Sequence, residues 1–194
     1  MLAAQYKQLD LPLEAPDGGP RGDAHMARNP MGKIPVLLDG ELVLPESDVI
    51  LGYLEDRFPT PSLFPGDATR RAHVRLLTRL LDTYGPTSFG PFLQNDAPAI
   101  AMALQRSEAC LGYLEHFWQP AVHAAGPDFS AADCALIPFF CIFDRLQGGF
   151  GTLDLVQARP RVAAWWSAAR DSEPGQFAGR TLDAAVQQML LVAD

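Results

Sequence analysis

The sequence predicts a small α/β half followed by an all-helical half. Three observations carry that prediction. Residues 36–38 and 42–44 are apolar runs separated by Asp39-Gly40-Glu41, and Asp-Gly between two such runs favours a tight hairpin. From residue 68 onward the apolar side chains recur at helical spacing. Between the halves stand Pro59, Pro61 and Pro65, which no helix crosses. The expected organisation is a first domain over residues 1–59, a linker over 60–67 and a second domain over 68–194.

The first half reads as follows. Residues 2–9 suit the end of a helix, and Leu11-Pro12-Leu13-Glu14-Ala15 a short strand. Residues 16–23, rich in Gly, Pro and Asp, form a loop. Pro35 stands at the mouth of the first hairpin strand. Lacking an N–H for the ladder, it belongs at a strand's first residue, an edge or a bulge. With Asp39-Gly40 as the central pair, the hairpin would use a type I′ turn. A helix then starts at Ser47 or its neighbour, with Ile50, Leu54 and Phe58 on one face, and Pro59 ends it.

The second half reads as a stack of helices. In the first, Val74, Leu77, Leu81 and Tyr84 face one way, with Arg71, Arg75, Thr78 and Asp82 opposite. The second is capped by Asp96 and carries the stripe Leu104, Leu111, Leu114 and Trp118. The third begins at Ser130, where Ser130-Ala-Ala-Asp133 fits a capping box and Phe129 is placed to staple onto Cys134. Residues 134–143 are apolar all round, which predicts a helix in the middle of a domain, kinked at Pro138. Helices over 160–170 and 181–192 complete the chain.

Composition narrows the functional classes. Nearly half the residues, 48%, are hydrophobic and 20% are charged, the balance of a folded soluble domain. The net charge of −8 repels phosphate backbones and anionic lipid, and Arg70-Arg71 is a pair rather than a basic patch. Nucleic-acid and membrane partners are therefore not expected. The N-terminal decapeptide lacks a basic segment followed by a long apolar run, and no run approaches the ~20 residues of a membrane helix, so a cytoplasmic location is expected. Cys110, Cys134 and Cys141 form no close pair and read as reduced, mostly buried thiols. His25, His73, His116 and His123 are scattered, and no metal site is expected.

The segment NPMGKIPVLLDGELVLPESDVILGYLEDRFP, residues 29–59, resembles the core of the N-terminal domain of cytosolic glutathione transferases. DFSAADCALIPFF, residues 128–140, is similar to the capped, buried helix of their second domain. The resemblance implies a thioredoxin-like first domain, an all-α second domain and glutathione as co-substrate. It implies that Pro35 is cis, so that the backbone of Ile34 meets the cysteinyl part of glutathione much as a strand meets an edge. Glu46 and Ser47 would hold the γ-glutamyl end. A carboxylate suits the α-ammonium, and a hydroxyl with helix N-terminal N–H groups suits the α-carboxylate. Ser47 as a helix cap is the simpler role for that residue. Lys33 would reach the glycyl carboxylate or remain a solvated surface lysine. Tyr84, Phe89 and Phe92 are candidates to line the electrophile's pocket, with core packing as their alternative role.

The resemblance also implies a homodimer, with Arg70, Arg71, Arg75 and Arg79 either pairing with a partner or forming a solvated face. The implied activity is transfer of the glutathione thiolate to a small electrophile, of detoxification type. In this family a strand and a loop bearing a Tyr, Ser or Cys come first, and residues 1–14 align instead with the end of the first helix and the second strand. The thiol-activating residue is thus unassigned. Tyr6 is a remote candidate, and the cysteines belong to helices of the second half. Three explanations compete: a truncated chain, a rearranged first half in which residues 11–15 pair with the hairpin or a second chain, and a non-catalytic binding or scaffold protein.

Overall fold

The computed structural model describes residues 1–86, 92, 96–150 and 155–192. The backbone groups into two units, one of Met1 and Ala3–Leu63 and the other of Leu2 and Phe64–Asp194.

In the first unit, helix α1 (Leu2–Tyr6) ends in a left-handed turn. Gln8 takes φ +54°, and the N–H groups of Gln8 and Leu9 donate to the carbonyls of Gln5 and Ala4 at 3.0 and 2.8 Å. That is a Schellman closure built on glutamine rather than glycine. Residues 11–15 form no strand, contrary to the sequence expectation. Pro12 brings no ladder donor, Leu13 is exposed, and no described strand pairs with the segment. Helix α2 (Asp23–Arg28), which the sequence reading did not foresee, follows the Gly-rich loop.

Strands β1 (Val36–Asp39) and β2 (Leu42–Pro45) pair antiparallel, from Val36↔Pro45 at the open end to Asp39↔Leu42 at the turn. The central turn residues are therefore Gly40 and Glu41, not Asp39 and Gly40. Gly40 has φ +58° while Glu41 is not in the left-handed region. Gly at the first central position is the type II′ requirement, so the hairpin closes that way instead of by type I′.

Helix α3 (Ser47–Arg57) packs on both strands, and the Tyr53 hydroxyl donates to Asp39 Oδ2 at 2.5 Å. Its buried residues are Leu51 and Leu54, while Ile50 and Phe58 are half-buried. The inward face is thus rotated from the expected one.

The second unit opens with α4 (Ala68–Tyr84), capped by Asp67, whose side chain accepts from the Arg70 N–H at 2.9 Å. Val74, Leu77, Thr78 and Leu80 are buried. Thr78 faces inward against expectation because its Oγ1 donates to the Arg75 carbonyl, satisfying the hydroxyl. Tyr84 points out, 45% exposed.

Helix α5 (Ala97–Phe117) is capped by Asp96, which accepts from the Ala99 N–H, and buries Ile100, Ala103, Ser107, Cys110, Leu111 and Leu114. Helix α6 (Ala131–Phe150) is the unit's centre: no residue from Ala131 to Asp144 is exposed, and Pro138 lies inside it. Helix α7 (Pro160–Asp171) brings Val162, Trp165 and Trp166 into the core. The Phe140 ring stacks on Trp166 at 5.3 Å between centroids, and Trp166 Nε1 donates to Asp144. Helix α8 (Glu173–Val192) starts eight residues before the expected Thr181, held to α6 by Arg145, which donates to Asp183 and the Gly179 carbonyl.

Candidate functional site

Antiparallel pairing decides where the candidate residues meet. Val36↔Pro45 is the last ladder pair, so Pro35 and Glu46 leave the hairpin side by side at its open end. Ile34-Pro35 and Glu46-Ser47, a dozen residues apart in sequence, therefore share one end of the sheet. Lys33, Ile34, Pro35, Glu46 and Ser47 are all exposed, with Ile34 61% accessible.

The Ile34–Pro35 peptide bond is cis. Pro35 precedes the ladder, which begins at Val36. Among the described residues, no hydrogen bond reaches the Ile34 N–H or C=O. A backbone donor and acceptor are thus open at the end of a sheet.

Glu46 is the residue before α3 and takes φ +70°, ψ +119°. A non-glycine residue there is strained, and such strain clusters at ligand sites. The Glu46 side chain makes no cap bond, and Ser47 is the first helical residue rather than the cap. The α3 ladder begins with the Ile50 N–H donating to the Glu46 carbonyl at 3.0 Å, which leaves the N–H groups of the first turn facing outward. An anion suits that position.

The loop that delivers Ile34 is built around Asn29, which the sequence reading passed over. Its side chain is 1% exposed. Asn29 Oδ1 accepts from the Met31 N–H at 3.2 Å, and the Asn29 carbonyl accepts from the Gly32 N–H at 3.0 Å. Asn29-Pro30-Met31-Gly32 has the residue types of a type I turn, and that pattern was the available signal. Gly32 closes it at φ +60°, where a Cβ would lie 3.0 Å from Met26 Sδ. Asn29 Nδ2 then donates to the Lys33 carbonyl at 2.9 Å, and His25 Nε2 lies 2.8 Å from the same oxygen.

The pocket candidates divide. Tyr84 is exposed and sets its ring edge-on to Tyr113 at 4.9 Å. Phe92 is buried with Ile100 and Ala103, which is core packing. Phe89 lies outside the described residues. The four arginines of α4 find partners within their own unit. Arg70 pairs with Asp128, Arg71 donates to the Gly66 carbonyl, Arg75 lies over the Phe64 ring and Arg79 pairs with Asp82.

Cys110 and Cys141 are free thiols. Burial pushes Cys110 up to about 12 and raises Cys141 as well, so neither is a nucleophile near neutrality. Among the described residues no group of three or more His, Cys, Asp or Glu could hold a metal ion, and no helix is long and apolar enough to cross a membrane.

Comparison with known proteins defines the class. Residues 1–62 match the glutathione S-transferase N-terminal domain, and residues 97–165 the C-terminal domain of the same family. The chain is 30% identical over 181 residues to glutathione S-transferase 4 of Zea mays, an alignment covering 86% of this chain and 79% of that one. It is 38% identical over 78 residues to the maleylacetoacetate isomerase of Pseudomonas aeruginosa, covering 39% of this chain and 36% of that one. Its fold is similar to that of a bacterial maleyl pyruvate isomerase described as a zeta-class glutathione S-transferase, with a TM-score of 0.75 at 24% identity over 91% of this chain and 88% of that one. The fold is a thioredoxin-like domain followed by an all-helical domain. The chain belongs to the glutathione S-transferase family.

Proposed function

We propose that this protein binds glutathione at the open end of the hairpin and transfers its thiolate to a small electrophilic substrate. The observation that carries the reading is the pairing of Val36 with Pro45, which sets the free backbone of Ile34 beside the N-terminus of α3. A γ-glutamyl tripeptide needs both: a backbone edge for its middle residue and a cationic pole with a hydroxyl for its terminal carboxylate. In this reading Ile34 and Pro35 meet the cysteinyl residue, Glu46 takes the α-ammonium, Ser47 takes the α-carboxylate, and Lys33 takes the glycyl carboxylate. Residues 1–59 form the glutathione-binding domain, residues 60–67 the linker and residues 68–194 the helical domain. Tyr84 lines the electrophile's site. The working unit is a cytoplasmic homodimer.

A second reading, glutathione binding without conjugation, draws on thiol chemistry. Activating the sulfur takes a donor beside it. Ser47 is committed to the γ-glutamyl end, and Tyr53 is already bonded to Asp39. Calorimetric titration of the 194-residue chain with reduced glutathione tests the binding site, with saturable one-to-one heat expected. No heat at millimolar glutathione from a folded chain overturns both readings. Conjugation assays with an electrophile panel then separate transferase from binder.

A further inference from the structure

We propose that Asn29 and His25 are positioning residues that aim the Ile34 N–H at the ligand. The inference rests on the glutathione reading and extends it to two residues outside the expected contacts.

One peptide plane, Lys33–Ile34, links the two residues to the ligand. The Lys33 carbonyl oxygen meets two donors, Asn29 Nδ2 at 2.9 Å and His25 Nε2 at 2.8 Å. A carbonyl oxygen has two lone pairs, so its acceptor capacity is filled and its direction is held from two sides. Among the described residues the cis bonds are at Ile34–Pro35 and Thr60–Pro61, so the Lys33–Ile34 bond is trans. In a planar trans peptide the C=O and the following N–H point in opposite directions. Holding the Lys33 oxygen inward therefore turns the Ile34 N–H outward, where no described group meets it.

The two donors come from different places. Asn29 is buried, and its Oδ1 is fixed by the Met31 N–H, which leaves Nδ2 facing Lys33. His25 lies on α2 and is half-buried. Its Nε2 must carry a proton to bond there. A short helix and a turn thus converge on one oxygen whose own residue contacts the ligand only through its side chain.

The test compares wild type with His25→Ala, His25→Gln and Asn29→Asp. Binding of reduced glutathione is read by calorimetry, and the Ile34 amide proton by NMR through the titration. Asn29→Asp keeps the acceptor for Met31 but sets an oxygen against the Lys33 carbonyl. We expect His25→Ala to weaken glutathione about fivefold, the size of one lost hydrogen bond. His25→Gln, which restores a donor, should recover most of it. The downfield shift of the Ile34 amide on ligand addition should shrink in His25→Ala and return in His25→Gln, which a merely structural role does not require. If Asn29→Asp fails to fold, the His25 pair decides alone. Wild-type binding that both His25 variants match, with an unchanged amide shift, overturns the inference and leaves the glutathione reading standing. No binding by wild type overturns the reading and the inference with it.

Discussion

Lys7 places its ammonium 2.9 Å from the Glu55 carboxylate, and its side chain has no exposure to solvent. The remaining donors reach the Phe58 and Pro61 carbonyls at 2.5 and 2.7 Å. Glu55 also accepts from Ser62 Oγ and the Leu63 N–H. One ion pair thus ties the end of α1 to the end of α3 and the segment after it. Breaking a buried pair leaves the other charge uncompensated, so Lys7→Ala should cost about 3 kcal/mol. Urea unfolding monitored by circular dichroism measures this; a loss under half that size would mean the network is not a stability element.

Glu55 also predicts a pH dependence. Burial pushes its carboxyl up, but the Leu63 N–H, Ser62 and Lys7 outweigh burial and hold it below the ordinary carboxylate value. A depressed folded pKa stabilises above the unfolded value and is lost as pH falls through the folded one. Wild type should therefore lose stability on acidification, and Glu55→Gln, less stable at neutral pH, should lose less. Unfolding midpoints across the acid range compare the two slopes.

His123 has the opposite sign. Asp133, whose Oδ1 lies 3.7 Å from His123 Nδ1, raises the imidazole's pKa against the effect of burial. A raised histidine contributes stability that is full below its unfolded value of about 6.5 and is lost as pH rises through the folded value. His73, lowered by burial, works the other way, so only the difference between wild type and a variant isolates His123. His123→Gln should remove the decline that sets in above the unfolded value; equal slopes for the two proteins would reject the pairing.

Ser47 separates a binding role from a capping role. A cap serine is worth about 1 kcal/mol to its helix. Ser47 is the first helical residue, and Glu46 precedes it as the cap position. Ser47→Ala should change stability by less than about 0.5 kcal/mol. It should weaken glutathione about tenfold, as loss of a bond to a charged group does. Calorimetry and thermal melting on the same sample read both quantities, and a destabilised variant with full affinity would restore the capping role.

Thiol reactivity gives a fifth check. Burial pushes Cys110 to about 12, and its Sγ donates to the Leu80 carbonyl at 3.7 Å. Cys141 is raised likewise and faces the Gly175 carbonyl. Iodoacetamide at mildly alkaline pH should leave both unlabelled in the folded protein and label both after denaturation. Mass spectrometry of the peptides reads the result; fast native labelling of Cys110 would show that α5 opens.

Much of the helical unit was legible because its rules are local. Asp96 caps α5 and Asp133 accepts from the Ser130 N–H at 3.0 Å, as the residue types suggest. The all-apolar run predicts the buried α6 because a helix with no polar face has nowhere else to lie. Errors came where tertiary contacts choose among local options. Thr78 buries because its hydroxyl finds a carbonyl one turn back, and α8 begins at Glu173, eight residues before the expected Thr181. The strand expected at residues 11–15 needed a partner that no local pattern supplies.

The sequence by itself determined that a hairpin joins Pro35 to Glu46-Ser47 and that a helix starts there, since alternation, glycine and proline act over a few residues. Only the tertiary structure decided the turn type, the strain at Glu46 and the orientation of the Lys33–Ile34 peptide. That orientation depends on His25 and Asn29, which come from a helix and a turn. Hydrogen bonds between such elements are set by where the backbone arrives, and sequence spacing does not encode that arrival.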